Sequence, residues 1–413
     1  MPYSGADRLA SIRSIARAGK LSQALDDILW VVRQIACTLL VLPLFAAAPA
    51  QFSEHTVGTG LRGGYQVVIA DLNHDGKPDL IALASGMPDL VWYENPGWQR
   101  HTIASGFTQM INVAAVPSGL ADGIPDLVLA SGFANVASRS VGLLNLLRHS
   151  GDPREPWNVT EIDRLTTSHR LRTADIDGSG RRVVIDAALT GAKAEPPDYR
   201  DTTPLVFYRP GEWKRQDIAP HNSGLVHGIY VIDWDGDGRD EILTAGFEGI
   251  YLFKLGADGA WARQQIATGS AEPWPKSGSS DIAVGRLAKE RFLAAIEPWH
   301  GNQVAVYLHN GAAWKRAVID DTLADGHTIL TADFDGSGRD TVVAGCRGGP
   351  RSVFLYTADD PAGRKWTRQT LDGEMPAAAC AAGDLNGDGR IDIACIGSAT
   401  GTLKWYENRA AKP

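Results

Sequence analysis

An acidic loop recurs five times along this chain, at a spacing of roughly fifty residues or twice that, and such a period constrains the fold more than any local propensity. The loops begin at Asp71, Asp175, Asp233, Asp333 and Asp384. Each is set among short alternating segments that read as strands. In the first repeat Tyr65–Asp71 enters the loop, Asp79–Ala84 leaves it, and Leu90–Tyr93 and Trp98–Ile103 follow. Two further repeats, Asn112–Ala130 and Asp281–Ile296, keep the strands without the loop; Gly285 and Arg286 stand where the first carboxylates belong. The last repeat stops after Leu403–Asn408, one strand short, while Phe52–Val57 matches the outer strand Arg100–Ile103. An N-terminal strand that completes the last repeat closes a ring and removes its sheet edges. The pattern predicts an all-β, seven-bladed β-propeller over residues 51–408, followed by a short tail, 409–413.

Residues 1–50 differ from the rest. Arg33, the apolar run Ile35–Ala48 and the small-residue end Ala48-Pro49-Ala50 describe a secretory signal peptide behind an N-terminal extension. The run is short for a membrane span, so a periplasmic or extracellular protein with no membrane insertion after cleavage is expected. The formal charge is −8, with no basic stripe, which excludes nucleic acid as an expected partner. Cys380 and Cys395 flank the last acidic loop, where they either pair across two antiparallel strands or, with Cys346, remain small buried residues.

Oxygen ligands at the first, third, fifth and ninth loop positions, with Gly at the turn, suit a hard cation such as calcium. The sets are Asp71, Asn73, Asp75 and Asp79; Asp233, Asp235, Asp237 and Glu241; and Asp384, Asn386, Asp388 and Asp392. A fourth, Asp333 and Asp335, closes one place early at Asp340 and holds Ser337. The loop at Asp175 carries Ser179 and then Arg181-Arg182, so it is expected to stay empty or to use its arginine internally. These loops resemble those of FG-GAP/VCBS propellers, and the resemblance implies structural calcium on one rim.

Six residues before Asp175, Asp233 and Asp333 stand His169, His227 and His327. Repeats place equivalent positions at equivalent points in space, so one phase puts three imidazoles around the mouth opposite the acidic loops. The turn Glu297-Pro298-Trp299-His300-Gly301 of the intervening repeat emerges at the same rim. Imidazoles, a carboxylate and an open position match a catalytic zinc or manganese site. The expected metal ligands are His169, His227, His327 and Glu297, with His300 as base. Insertions at Ala192–Thr203, bearing Glu195, Tyr199 and Arg200, and at Thr268–Ser279, bearing Glu272, Trp274 and Lys276, add aromatic and polar groups suited to a sugar. Tyr199 is the expected second catalytic group.

The segments Trp92-Tyr-Glu-Asn-Pro-Gly97 and Trp405-Tyr-Glu-Asn408 are similar to the propeller part of aldos-2-ulose dehydratase-type proteins. That resemblance implies a zinc-dependent β-elimination on a keto sugar, and hence a carbohydrate lyase or dehydratase. A competing reading is a non-catalytic, calcium-stabilised ligand-binding or adhesion propeller, which has no reason to align three histidines. A third, a metal-free polysaccharide lyase, makes Tyr199 or Tyr230 essential.

Overall fold

The computed structural model describes residues 51–311 and 313–410. Residues 1–50, where the signal peptide and N-terminal extension are expected, and the end of the tail lie outside the described residues. Seven four-stranded antiparallel sheets form the ring, six of them running from an inner to an outer strand in chain order. The inner strands are Gly64–Ala70, Asn112–Val116, Ser168–Ala174, Val226–Ile232, Asp281–Leu287, Gly326–Ala332 and Ala377–Gly383. Each touches its neighbours all the way round the ring. The seventh sheet takes its outer strand, Phe52–Gly58, from the N-terminal end, in register from Phe52↔Asn408 to Thr56↔Lys404. This is the expected closure.

Second strands such as Asp79–Ala84, Asp126–Ser131 and Glu241–Gly246 are buried at every position, because each blade is covered on both faces by its neighbours. The core is accordingly divided into seven seam clusters, one between each pair of adjacent blades. Between blades five and six, for example, Phe292 and Ile296 meet Ala344 and Tyr356. An eighth cluster, of Leu189, Tyr199, Leu225 and Phe247, lies under the two insertions at the mouth.

Polar ties reinforce the seams. Asn95 Nδ2 donates to the Leu385 carbonyl of blade seven at 2.6 Å, and Asn408 Nδ2 to the Phe334 carbonyl of blade six at 2.7 Å. The Trp-Tyr-Glu-Asn segments are therefore seam locks. In four blades a third-strand tyrosine donates to a carboxylate that a basic side chain also holds. The sets are Tyr208, Asp163 and Arg215; Tyr307, Glu297 and Arg316; Tyr356, Asp320 and Arg368; and Tyr406, Asp372 and Lys404. Arg215, Arg316 and Arg368, each two residues after a tryptophan, thus belong to these clamps.

Cys380 and Cys395 are directly paired across two strands and form a disulfide, while Cys346 is free and buried. Among the described residues no helix is long and apolar enough to cross a membrane.

Candidate functional site

In five blades the second residue of the inner strand is a β-bulge, skipped by the pairing register of its neighbours. The residues so placed are Tyr65, His169, His227, His327 and Ala378. A bulge frees a residue from the ladder and re-aims its side chain; here it turns three imidazoles and a phenol toward the axis. Blades two and five, which lack the acidic loop, also lack the bulge.

The imidazoles meet. Ring centroids lie 4.9 Å apart for His169 and His227, and 5.0 Å apart for His227 and His327. His300 joins from its turn, 4.9 Å from His227 and 5.1 Å from His327, with a left-handed φ of 50°. Candidate ligand atoms of His227, His300 and His327 all fall within 4.8 Å of one another.

Hydrogen-bond partners assign the tautomers. His327 Nδ1 donates to the Ala378 carbonyl at 2.5 Å, leaving a buried Nε2 lone pair without a partner. Arg170 donates to His227 Nε2, which makes that nitrogen the acceptor and leaves the proton on Nδ1, 3.2 Å from Ser280 Oγ. His227 Nε2 lies 3.2 Å from His300 Nε2. Two nitrogens on a tetrahedral zinc, each about 2.05 Å from it, are about 3.3 Å apart. His300 Nδ1 lies 3.2 Å from Asp325 Oδ1 and 3.0 Å from an Arg347 nitrogen, so the ion pair beside it can support either tautomer. Burial, then the Arg170 charge, holds His169 and His227 well below the ordinary imidazole value, and burial with Arg347 does so for His327. Burial also lowers His300, against the pull of Asp325. All four are neutral at pH 7, the form a metal takes.

Arg170 opposes a metal. Its guanidinium donates to His169 Nε2 at 3.2 Å and to His227 Nε2 at 3.3 Å, filling lone pairs that a cation would need. Tyr65 Oη, 3.1 Å from His169 Nε2 and 3.3 Å from Arg170, completes this layer.

Glu297 does not join the imidazoles. It is fully buried, with Oε1 accepting from Ser279 Oγ at 2.8 Å and from Tyr307, and Oε2 from Arg316 at 2.7 Å. It supplies the clamp carboxylate that other blades take from a preceding outer strand, and blade four has no acid at that end. Tyr199 does not join the imidazoles either: it is 6% exposed and packs edge-on against Trp299, with centroids 5.7 Å apart. It and Phe247 buttress Trp299, which lines the mouth. His300 groups with His227 and His327. Tyr230 lines the axial channel below.

Above the imidazoles opens a cavity of about 650 Å³, floored by His169, His227 and His300 and walled by Tyr65, Phe133, Trp299, Arg139 and Arg347. Below them an axial cavity of about 520 Å³ is lined by Arg170, Arg172, Asp281 and His327. Sequence reasoning passed over Tyr65 although it stands six residues before Asp71, the phase of the histidines. Arg347 and Asp325 carry no repeat signal.

The acidic loops lie on the opposite rim and differ from one another. In blade one, Asp75 and Gly76 amides donate to Asp71, while both oxygens of Asp79 accept backbone amides, from Leu72 and Asn95. Burial, reinforced by the charges of Asp71 and Asp75, pushes the Asp79 carboxyl up to about 7. Asp392 is bonded in the same way, to Leu385 and Asn408. In blade four Lys254 Nζ sits among Asp235, Asp237 and Glu241, 3.0 Å from Asp237 and 3.2 Å from Glu241. In blade three Arg209 pairs with Asp177 at 3.2 Å. Asp340 does not close its own loop: its Oδ2 accepts the Arg286 amide of blade five at 2.8 Å, as Asp240 accepts that of Asp175 in blade three.

The chain is a seven-bladed β-propeller, and the model of the FG-GAP-like repeat matches its residues 333–395. Within that class it resembles the β-propeller domain of aldos-2-ulose dehydratase, whose family model matches residues 141–310 and so includes His169, His227 and His300. Aldos-2-ulose dehydratase of Phanerodontia chrysosporium is 26% identical over 292 residues, covering 62% of this chain and 32% of the relative. Two structures of BBS1N in complex with ARL6DN share the fold. The mercury-soaked crystal has a TM-score of 0.56 at 13% identity, over 88% of this chain and 98% of that one. The lead-soaked crystal gives 0.55 at 14%, over 89% and 99%.

Proposed function

We propose that the protein is an exported, metal-dependent carbohydrate lyase that eliminates water or an alcohol from a keto sugar or glycoside at the propeller mouth. One observation carries this reading: the buried, partnerless Nε2 of His327 aimed into a group of neutral imidazoles, a lone pair that costs free energy unless a cation or donor meets it. His227, His300 and His327 would hold a divalent zinc or manganese, in place of the set with His169 and Glu297. Such an ion polarises a carbonyl oxygen and acidifies the adjacent C–H.

Proton transfer falls to Tyr65 and His169. Tyr65 Oη takes the α-proton as its own proton passes to His169 Nε2, a nitrogen that Arg170 must first release. The C–H electrons form the new C=C bond, the β C–O bond breaks, and the proton held by His169 returns through Tyr65 to the leaving oxygen, which departs as water or alcohol. Trp299 and Phe133 offer apolar faces for the sugar ring. The dehydratase relative supports this reaction class. Export rests on the apolar run after Arg33, and the Cys380–Cys395 pair agrees with an oxidising compartment. Calcium is proposed for the loop of blade one, where Glu94 faces Asn73 and no basic side chain among the described residues pairs with the loop carboxylates, whereas in blade seven Arg390 already pairs with Asp388.

The test is the rise in ultraviolet absorbance of an enone product from keto sugars, for wild type, Tyr65→Phe and His327→Ala. Loss in both variants with unchanged melting supports the reading. Turnover that survives His327→Ala removes the metal from it, and absence of turnover across keto sugars leaves the ligand-binding propeller ahead.

A further inference from the structure

The mouth cavity has no acidic side chain in its lining. It offers Arg139, Arg347, neutral imidazoles, and amides such as Gln109 and Asn135, in a chain whose formal charge is −8. Asp325, beside it, is already bound by Arg347 at 2.8 Å and faces His300. Arg139 is different. It stands exposed on the short turn Ala137–Arg139, and among the described residues no carboxylate lies within 4.0 Å of it. Arg170 adds a second cation just under the floor.

Every hydroxyl of a neutral sugar brings a proton that needs an acceptor, and carboxylates are the strongest ones a protein has. A lining of cationic donors without a carboxylate serves such a ligand poorly. The same lining suits an anion, because a guanidinium binds carboxylate or phosphate through paired, charge-assisted hydrogen bonds. We infer that the mouth takes an anionic sugar, one carrying a carboxylate or a phosphate, and that Arg139 grips the charged group while the sugar carbon skeleton lies toward the imidazoles. This rests on the mouth being the carbohydrate site proposed above; it narrows the substrate class and makes Arg139 a specificity-determining residue.

The experiment is calorimetric titration of D-glucuronate, D-glucose 6-phosphate and D-glucose into wild type and Arg139→Gln at low and high salt. Metal content of each sample is measured separately. At least one anion binds wild type tenfold or more tightly than glucose, and the advantage shrinks with salt. It disappears in Arg139→Gln, whose melting temperature is unchanged because the side chain is exposed. The anion that shows the advantage identifies the charged group. Glucose binding as tightly as both anions, or a preference that survives Arg139→Gln, overturns the inference. A protein that holds zinc yet shows no charge preference refutes this inference alone. A metal-free protein with an Arg139-dependent preference refutes the metal chemistry and upholds the anionic substrate.

Discussion

Replacing Glu297 with alanine separates a clamp from a ligand. The carboxylate is fully buried and accepts hydrogen bonds from Ser279, Tyr307 and Arg316. Removing one member of a buried ion pair costs about 3–5 kcal/mol, because the other charge is left without compensation. The Arg316 side chain is 29% exposed and can recover some hydration, which moves the expectation to the lower end, about 3 kcal/mol. For a chain of this size that lowers the melting temperature by about 4 °C. Metal content per folded protein should not change. Asp372→Ala, in the equivalent clamp with Tyr406 and Lys404, should melt early by a similar margin. The double variant Glu297→Leu/Arg316→Met removes both charges and should recover most of the loss. Differential scanning calorimetry with metal analysis reads both quantities. Loss of bound zinc at an unchanged melting temperature would refute the reasoning and return Glu297 to the metal.

Three further predictions follow from named contacts. His169, His227 and His327 are held well below 6.5 in the fold, whereas the unfolded chain takes up protons as the pH falls through that value. The unfolded state then binds more protons, so metal-free protein loses stability below about pH 6.5, at a slope approaching about 1.4 kcal/mol per pH unit for each histidine. Urea unfolding between pH 7.5 and 5 checks this, and a slope unchanged in His169→Gln/His327→Gln contradicts it. Arg170→Gln removes the guanidinium that occupies the His169 and His227 lone pairs, so zinc affinity should rise at least tenfold by competition titration; unchanged or weaker binding contradicts the plug. Lys254→Met with Arg239→Met, which removes the second cation on Asp237, frees Asp235, Asp237 and Glu241 and should add one bound calcium per chain by calorimetry; an unchanged count shows that the loop of blade four is filled already or cannot bind.

The ring was legible because its evidence was repetitive: acidic loops, alternating strands and a missing outer strand supplied by Phe52–Gly58. The phase of His169, His227 and His327 carried into space for the same reason, since the bulge at each strand start is itself part of the repeat. Tyr65 shares that phase and was missed because the search was for imidazoles, although a phenol re-aimed by the same bulge reaches the same point. Carboxylates misled, because spacing along the chain does not say which partner claims an oxygen. Glu297 stands in the His300 turn yet faces Tyr307 and Arg316, and Asp340 stands in an acidic loop yet bonds the neighbouring blade. Arg347 and Asp325 reach His300 from outside the repeat pattern, so only packing reveals them.

Metal analysis of purified protein by mass spectrometry, for wild type and a His227→Ala/His327→Ala variant, tests the central claim most directly. The account predicts about one equivalent of zinc or manganese in wild type, absent from the variant while calcium is retained in both. Wild-type protein purified under metal-replete conditions without zinc or manganese, or a variant that keeps its full equivalent, would contradict it.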